Sequence, residues 1–492
     1  MSRGAALALT VQGSAGSSTS LFVPVILKSS GANESYYTSE LTLTNRSTQT
    51  AALRFSYTAT SGGGTGTGTA SLAAGRQLIV PDAIDYLRSR GVPIPASGNR
   101  VGTLRVTFDG VSNPKDVSVI VRTTTPVPPK TPTGAAGLAY TGVPASQLPS
   151  GPVLLCGLRR DSLDRTNIAV QNAGDAAAGT VGLRITLISG VPPTGNVVAT
   201  HSADLGPGGF QQIEAPPGFF GWARVERTSG QAPWYAYAVI NDNFNSDGSF
   251  VLPFPESTLG STHGFTLPVA LEASVYGTEA IFTNLTDLTR RVYLDYYADA
   301  LGAAPASVYI DMPPKAQYSY ENVVAAIRSA GIVVPTGVVG PMFITAEGGS
   351  TAGLFVGART GNPGGGGRYS LFYSAVPFGA AASTQAWISG LQQTSTSRSN
   401  LALVNTGEVD GSSSTFRIEI FSGETGAKVG EKTVSLPARR FLQENAILAT
   451  VAPGTSNAYA RITKTSGSNP FVAYGVINDG GQPGQRSGDG AF

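Results

Sequence analysis

Two nearly identical octets decide how this chain folds: "AYAVINDN" at residues 236–243 and "AYGVINDG" at residues 473–480. Their first tyrosines, Tyr237 and Tyr474, lie 237 residues apart (474 − 237). A single repeated octet has two explanations, chance or duplication of the whole unit around it. The flanking sequence decides between them.

The match continues on both sides of the octets. "GLRRDSLDRTNIAVQNAG" (157–174) aligns with "GLQQTSTSRSNLALVNTG" (390–407) at a spacing of 233 residues (390 − 157). A similar spacing over such a long stretch indicates duplication. Among the residues of the first stretch that recur unchanged are Gly157, Leu158, Arg165, Asn167, Ala169, Asn172 and Gly174.

The other halves of the two copies match more weakly. "FVPVIL" (22–27) resembles "TLPVAL" (266–271), and "LRSRGVPIP" (87–95) resembles "IRSAGIVVP" (327–335). The chain therefore divides into modules A, B, A′ and B′. The predicted divisions are 1–19 for an N-terminal strand arm and spacer, 20–130 for module A, 131–255 for module B, 256–379 for module A′ and 380–492 for module B′.

Each module contains a short run of alternating apolar residues that ends in asparagine: "LTLTN" (41–45), "IAVQN" (168–172), "IFTN" (281–284) and "LALVN" (401–405). Such alternation is typical of a strand with one buried face. Asparagine suits the following turn because its side chain can bond nearby backbone groups. With strands at short spacing and frequent turn residues, the pattern predicts an all-β chain of four tandem immunoglobulin-like β-sandwich modules.

Each A module also contains one predicted short helix. In "VPDAIDYLRSRG", Asp82 is a suitable N-cap and Gly91 can take the left-handed position after the last turn. "SYENVVAAIRSAG" repeats the plan in module A′. We interpret both helices as connections between strands.

The junctions between modules are rich in proline: "TPVPPKTPTG" (125–134), "PFPESTLGST" (253–262) and "AVPFGAAAS" (375–383). Proline stiffens a connector because its ring fixes one backbone dihedral angle. Stiff connectors between similar modules predict an extended rod.

The composition excludes several classes of function. Charged residues make up only 13% of the chain and the net charge is +2, with no basic run that would favour nucleic acid. No apolar run approaches the ~20 residues that a membrane span needs. The single cysteine, Cys156, follows two leucines and is expected to be a small core residue.

Motifs for catalysis are missing from the sequence. The two histidines, His201 and His263, do not recur in the partner copies. No nucleophile elbow, zinc-protease motif or phosphate-binding loop occurs. We therefore expect a protein that is not an enzyme and has no cofactor, with one candidate exception.

The exception is a candidate calcium loop in "NDNFNSDGSF" (241–250). Asn243, Asn245 and Asp247 alternate before Gly248, a spacing that can direct oxygens inward as calcium loops do. The acidic residue that closes an EF-hand is missing, since Phe254 stands in its place. The alternative is a turn in which these side chains bond only the backbone.

The N-terminal arm is a candidate subunit contact. Leu7, Leu9 and Val11 alternate with small or polar residues, which predicts a strand with one apolar face, and a flexible spacer follows at 13–20. Such a strand can pair with its own first module or with the sheet edge of a neighbouring molecule. In the second case, head-to-tail contacts that do not close build a polymer.

Together, the asparagine-ending strands, the "RTSG" (227–230) and "KTSG" (464–467) turns and the repeated octets resemble tandem immunoglobulin-like repeats of bacterial secreted or surface proteins. The resemblance implies an extracellular or cell-surface structural protein, here expected to be a filament subunit. The alternative is an adhesin or an array of glycan-binding modules. Trp222, Trp234 and Trp387 are its candidate sugar-stacking residues, although core positions fit them better.

Overall fold

The computed structural model describes residues 18–32, 34–126, 135–260, 262–364, 367–479 and 488–491. The chain folds into antiparallel β-sheets with three short α-helices, which confirms the predicted all-β class. None of the described helices is long and apolar enough to span a membrane.

Modules A and A′ contain nine strands each. The strands of module A are β1 (Ser18–Ser30), β2 (Tyr36–Asn45), β3 (Ala51–Ser61), β4 (Gly66–Leu72), β5 (Gln77–Val80), β6 (Arg100–Asp109), β7 (Val117–Pro126), β8 (Ala135–Thr141) and β9 (Val143–Pro144).

Module B follows with another nine strands. They are β10 (Val153–Arg159), β11 (Asp164–Asn172), β12 (Val181–Ser189), β13 (Val197–Leu205), β14 (Phe210–Glu214), β15 (Phe220–Gly230), β16 (Trp234–Asp242), β17 (Gly248–Val251) and β18 (Phe254–Pro255).

The second half of the chain repeats this plan. Module A′ contains β19 (Phe265–Ala273), β20 (Tyr276–Asn284), β21 (Arg290–Tyr296), β22 (Ala306–Met312), β23 (Gln317–Tyr320), β24 (Val338–Ala346), β25 (Leu354–Gly364), β26 (Gly367–Ser374) and β27 (Val376–Pro377). Module B′ contains β28 (Gln385–Gln392), β29 (Ser397–Asn405), β30 (Ser414–Ser422), β31 (Lys428–Leu436), β32 (Arg440–Glu444), β33 (Asn457–Ser466), β34 (Phe471–Asp479) and β35 (Gly488–Ala491).

One strand order recurs through all these sheets. In module A the hydrogen-bonded orders are β4-β3-β6-β1 and β5-β2-β7-β8, and β1 also pairs with β2. Counting from the first strand of each set, the same orders hold in B, A′ and B′. The repeated topology is the structural counterpart of the repeated sequence. The likeness to immunoglobulin domains stays a prediction.

Hydrogen bonding moves one predicted module boundary. Strands β8 and β9 lie in the stretch that the boundary at 130/131 assigned to module B, but β8 pairs with β7 and β9 pairs with β1. The stretch up to Pro144 therefore completes module A. Sequence alone placed the break at the proline-rich segment before β8, because prolines interrupt a strand pattern whether or not the module has ended.

The asparagines at the strand ends have a shared structural role. Asn45 is fully buried, and its amide donates to the carbonyl oxygens of Gln49 (2.8 Å) and Leu72 (3.0 Å). Asn172, Asn284 and Asn405 are also fully buried and make the corresponding pair of bonds. Each asparagine thus ties the end of a core strand to the last residue of its module's outermost strand, which explains why the residue recurs.

The three helices are α1 (Ala83–Ser89), α2 (Val323–Ser329) and α3 (Ile447–Val451). The first two confirm the prediction: the side chains of Asp82 and Asn322 cap them by accepting hydrogen bonds at 3.0 Å from the third helical N–H. Gly91 has φ +97°, the left-handed conformation expected after α1. Helix α3 in module B′ was not predicted.

The predicted rod is wrong, because the first and last modules touch. The amide of Gly390 in module B′ donates to Gln77 of module A at 2.9 Å, and Tyr459 donates to the carbonyl of Gly75 at 2.8 Å. Strands β8, β17, β26 and β35 also contact one another in a closed cycle, β8 with β17, β17 with β26, β26 with β35 and β35 with β8. In an extended rod, the apolar side chains of these edge strands would be exposed to water. Here the neighbouring modules cover them, and this burial favours the closed arrangement.

Two of the contacts between modules continue the hydrophobic cores. The core of module A includes Tyr235 and Tyr237 from module B, and the core of module B includes Phe355 and Phe372 from module A′. The core clusters of modules A′ and B′ contain only their own residues. The A–B contact is therefore packed more continuously than the equivalent A′–B′ contact.

Candidate functional site

A cleft of about 230 Å³ lies between modules A′ and B′. We call it the second-half cleft. Strands β19, β20, β25 and β26 form one wall, and β29, β32 and β34 form the other. One part is apolar, with Val269, Leu271, Leu371 and Val476. The remainder is polar and aromatic, with Tyr276, Thr360, Tyr373, Arg398, Asn400, Gln443, Asn445, Tyr474 and Asn478.

Arg398 and Asn478 present two of the hydrogen-bond donors of this cleft. They stand directly opposite each other on β29 and β34, so their side chains leave the sheet on the same face. Each residue exposes only 6% of its surface. Among the described residues, neither Arg398 Nη1 nor Asn478 Nδ2 has a hydrogen-bond partner.

The electrostatics of the cleft are dominated by this arginine. The described lining contains no aspartate, glutamate, histidine or lysine, so Arg398 is its only cation and no carboxylate of the lining balances it. Burial lowers the pKa of Arg398 below its usual range, although a guanidinium stays protonated at neutral pH. A desolvated cation without a counter-ion is unfavourable, so the cleft attracts an anion.

Two tyrosines of the cleft, Tyr373 and Tyr474, are neutral. Burial raises the pKa values of Tyr373 and Tyr474 well above that of a free phenol. Their rings stack with centroids 6.3 Å apart and an interplanar angle of 29°. Tyr373 also contacts the hydroxyl of Thr360. The two rings therefore form a flat, uncharged surface beside the guanidinium.

Equivalent residues of the first half form a corresponding cleft between modules A and B. We call it the first-half cleft, and its volume is about 350 Å³. Eleven lining positions are equivalent in the two clefts, and ten of them keep the same residue type, whereas Glu214 in the first half becomes Asn445 in the second. The pairs are Leu27/Leu271, Tyr37/Tyr276, Thr123/Thr360, Leu138/Leu371, Tyr140/Tyr373, Arg165/Arg398, Asn167/Asn400, Gln212/Gln443, Glu214/Asn445, Val239/Val476 and Asn241/Asn478.

In the first-half cleft the arginine side chain is hydrogen-bonded to other residues of the chain. Arg165 donates to the carbonyl of Asp242 at 2.8 Å and to the hydroxyl of Ser246 at 3.1 Å. Tyr37 donates to the carbonyl of Ser246 at 2.8 Å. The loop between β16 and β17 thus supplies oxygen acceptors at the position where Arg398 has an unpartnered donor.

The three candidate calcium ligands lie in that loop. Both carboxylate oxygens of Asp247 accept backbone hydrogen bonds, from Gly137 at 3.0 Å and from Ser370 at 2.7 Å. The Asn245 oxygen accepts from Asp247 N, and the Asn243 amide donates to Asp161 O. The loop therefore joins modules A, B and A′ through backbone contacts. Calcium binding stays a prediction, and the described residues contain no group of three or more acidic, histidine or cysteine side chains placed to hold a metal.

The remaining candidates lie elsewhere. Leu7, Leu9 and Val11 are outside the described residues. Trp222 and Trp234 are buried in the core of module B, and Trp387 is partly buried at the A–B′ contact under the guanidinium of Arg46, 5.4 Å from its ring centre. These tryptophans do not form a shared stacking surface. Cys156 is a buried core residue, as expected.

Sequence reasoning did not identify the cleft, although its signal was present. Arg165 and Asn167 recur as Arg398 and Asn400 within an otherwise diverged segment. Charged and amide side chains retained on a predicted strand suggest a shared contact or site. The sequence pattern does not show where the neighbouring module lies, and that module forms the other wall of the cleft.

Comparisons with protein-family models and with curated protein sequences find no match to this chain.

Proposed function

We propose that this chain is a non-enzymatic binding protein that holds a small ligand in the second-half cleft. The observation that supports the proposal is the pair of buried, unpartnered donors on Arg398 and Asn478 that face this cleft. Buried donors without acceptors destabilise a folded protein, so their retention favours an acceptor that arrives with a ligand.

The support around the cleft suits binding with little rearrangement. Most strands of both walls lie in the interior of their sheets, with β26 and β32 at sheet ends, and modules A′ and B′ also make direct contacts outside the cleft. Arg439 of module B′ donates to the hydroxyl of Tyr297 at 2.6 Å, and Gly379 N donates to Glu408 at 2.8 Å. A preformed site loses less conformational entropy when it binds a ligand.

The chemistry of the lining favours binding over catalysis. General acid–base catalysis needs a group whose pKa lies near the working pH, and the buried tyrosines and Arg398 are far from that condition. A covalent mechanism would need a nucleophile beside a base, and the described lining provides a hydroxyl at Thr360 but no base.

A binding screen tests the proposal. Ligand-observed NMR on the full chain with panels of small acids, amides and monosaccharides is expected to detect at least one ligand. Arg398→Met should abolish or strongly reduce that signal, while the exposed Arg291→Met, which removes the same charge, should not. If every ligand that binds wild type also binds Arg398→Met equally, the cleft is not the site.

A second candidate function, the extracellular filament subunit, is favoured by the exposed sheet edges. Within the described residues β4, β13, β22 and β31 end their sheets, and β13 exposes 61% of Val197 and 47% of Val198. Such an edge can accept a strand from another molecule, such as the arm that carries Leu7, Leu9 and Val11.

Electron microscopy tests this second candidate. Wild type is expected to form fibres, and deletion of residues 1–13 should leave single particles. Single particles in both samples would remove the filament from consideration, and fibres in both would remove the arm.

A further inference from the structure

The two clefts are lined by equivalent residues but differ in charge, and this difference indicates the class of ligand. In the first-half cleft Glu214 lines the same space as Arg165, and Arg165 is bonded to loop oxygens. In the second-half cleft Asn445 stands in place of the glutamate, and Arg398 is the only charged group of the described lining. The second cleft therefore carries one uncompensated positive charge.

The first-half cleft also shows what kind of atom the arginine position accepts. Three oxygens of the loop satisfy Arg165: the Asp242 carbonyl at 2.8 Å, the Ser246 hydroxyl at 3.1 Å and the Asn243 side-chain oxygen at 3.4 Å. The loop sequence is "NFNSD" at 243–247, whereas "GGQPGQRS" follows at the corresponding place of the second half, 480–487. Asp242 is repeated as Asp479, but the Asn243 side chain is not repeated, because Gly480 stands at the equivalent position of the second sequence.

We propose that the second-half cleft binds a small monocarboxylate with an apolar or aromatic body, a proposal that rests on the binding function above. One carboxylate balances the single guanidinium, and its two oxygens can accept from Arg398 Nη1 and Asn478 Nδ2 on adjacent strands. The body lies against Val269, Leu371 and the Tyr373–Tyr474 stack.

Other ligand classes fit less well. A phosphate monoester carries nearly two negative charges at neutral pH, and the described lining offers one cation. A neutral sugar satisfies the donors but leaves the buried charge of Arg398 uncompensated. The size of the cleft, about 230 Å³, limits the ligand to roughly the dimensions of an amino acid or an arylacetic acid.

The experiment compares matched acids and amides. Ligand-observed NMR and calorimetry on the full chain use phenylacetate against phenylacetamide, N-acetylphenylalanine against its amide, and galacturonate against galactose. We expect at least one acid to bind about 10-fold to 100-fold more tightly than its neutral partner, the range for a charge-assisted hydrogen bond. Arg398→Met should remove the preference, Arg398→Lys should retain part of it, and Arg291→Met should retain all of it.

Several results would overturn the inference. If neutral partners bind as tightly as the acids and still depend on Arg398, the protein binds a ligand here but its class is wrong. If no probe binds at millimolar concentration to wild type, both this inference and the binding function fail. If acids bind only after residues 481–487 are replaced by a Gly-Ser linker, the cleft serves the chain itself rather than a ligand. A thermal melt of each variant shows that loss of binding is not loss of folding.

Discussion

Arg165 and Arg398 occupy the same position in two clefts of one chain, and their surroundings differ. Arg165 is held by a loop of its own module, with Glu214 nearby. Arg398 is buried, whereas Arg165 is partly exposed, and Arg398 has an unpartnered donor and no carboxylate in the described lining. The same scaffold thus uses one arginine to fix a loop, whereas the other has an unpartnered donor among the described residues.

The contacts between the halves show the same divergence. Gln77 and Gln317 accept hydrogen bonds from the equivalent amides of Gly390 (2.9 Å) and Gly157 (2.8 Å), so the backbone contact is retained in both copies. The B–A′ contact also contains a buried group of four charged side chains. At the A–B′ contact Gln392 and Ser397 replace two of these charges. The four buried residues are Arg159, Asp164, Glu279 and Arg359.

The largest expected effect comes from breaking the buried charge group. Arg359→Met removes a cation that lies 3.0 Å from Asp164 and 3.5 Å from Glu279 and leaves Arg159 as the remaining cation of the group. We expect the free energy of unfolding to fall by about 3–5 kcal/mol. The matched variant Arg122→Met should cost less, because Glu40 is 19% exposed and stays bonded to Gln392. Urea titrations of the two variants measure the difference, and equal losses would contradict this account of the two contacts.

Acid should weaken the same contact. Burial opposes ionisation of Asp164 and Glu279, but the guanidinium groups of Arg159 and Arg359 outweigh it and lower both pKa values below the ordinary 3.8 and 4.5. Stability from this source is therefore complete above about pH 5 and is lost as the pH falls through the lowered values.

The variant Arg359→Met sharpens this prediction. Without that cation the pKa values of both carboxyl groups rise, so the acid-induced loss should begin at a higher pH than in wild type. Urea midpoints measured at intervals between pH 7 and pH 3 give both profiles. Superimposable profiles would show that the charge group does not govern the acid response.

The sequence predicted the elements of this fold better than their assembly. The asparagine-ending strands and the capped helix at Asp82 depend on contacts close in sequence, or on a motif repeated in every module, and both were recognisable. Closure depends on contacts such as Gln77 with Gly390, more than 300 residues apart, and no local pattern encodes them. The proline-rich junctions indicated that the connectors are stiff, but they did not indicate the direction in which each connector leads to the next module.

The candidate site illustrates the same limit. Recurrence marked Arg398 and Asn400 as retained residues, but a retained residue can serve packing or binding. The distinction depends on what the opposite module places nearby and on whether a loop supplies acceptors, as Asp242 and Ser246 do for Arg165. Both conditions depend on the tertiary structure and cannot be read from the sequence of one strand. The same holds for the oxygens of Asp247, which meet backbone amides from two other modules.

The two arginines should respond differently to removal. Arg165→Met removes the bond to the Ser246 hydroxyl and one of the two bonds to the Asp242 carbonyl, which also accepts from Ser246 N at 3.1 Å, and should lower the free energy of unfolding by about 1.5–3 kcal/mol. Arg398→Met removes a buried charge without a partner in the described lining and should leave stability unchanged or raise it. Thermal unfolding without added ligand measures both. A large loss for Arg398→Met would mean that its donors are satisfied within the chain.

The smallest expected effect concerns Tyr37, whose hydroxyl donates to the Ser246 carbonyl at 2.8 Å. Tyr37→Phe removes this bond but keeps the ring, so we expect a loss of about 0.5–1.5 kcal/mol. Hydrogen exchange should become faster at the amides of the loop from 243 to 247. Unchanged exchange there would show that the hydroxyl does not hold the loop.

Small-angle X-ray scattering of the full chain in dilute solution tests most directly whether the four modules close on themselves through the contact between the first and last modules. A closed chain of 492 residues should have a radius of gyration of about 23–28 Å. Four modules in a row should instead give about 40 Å, with a maximum dimension of about 140 Å. The first result is the one this structure predicts, and the second would contradict it.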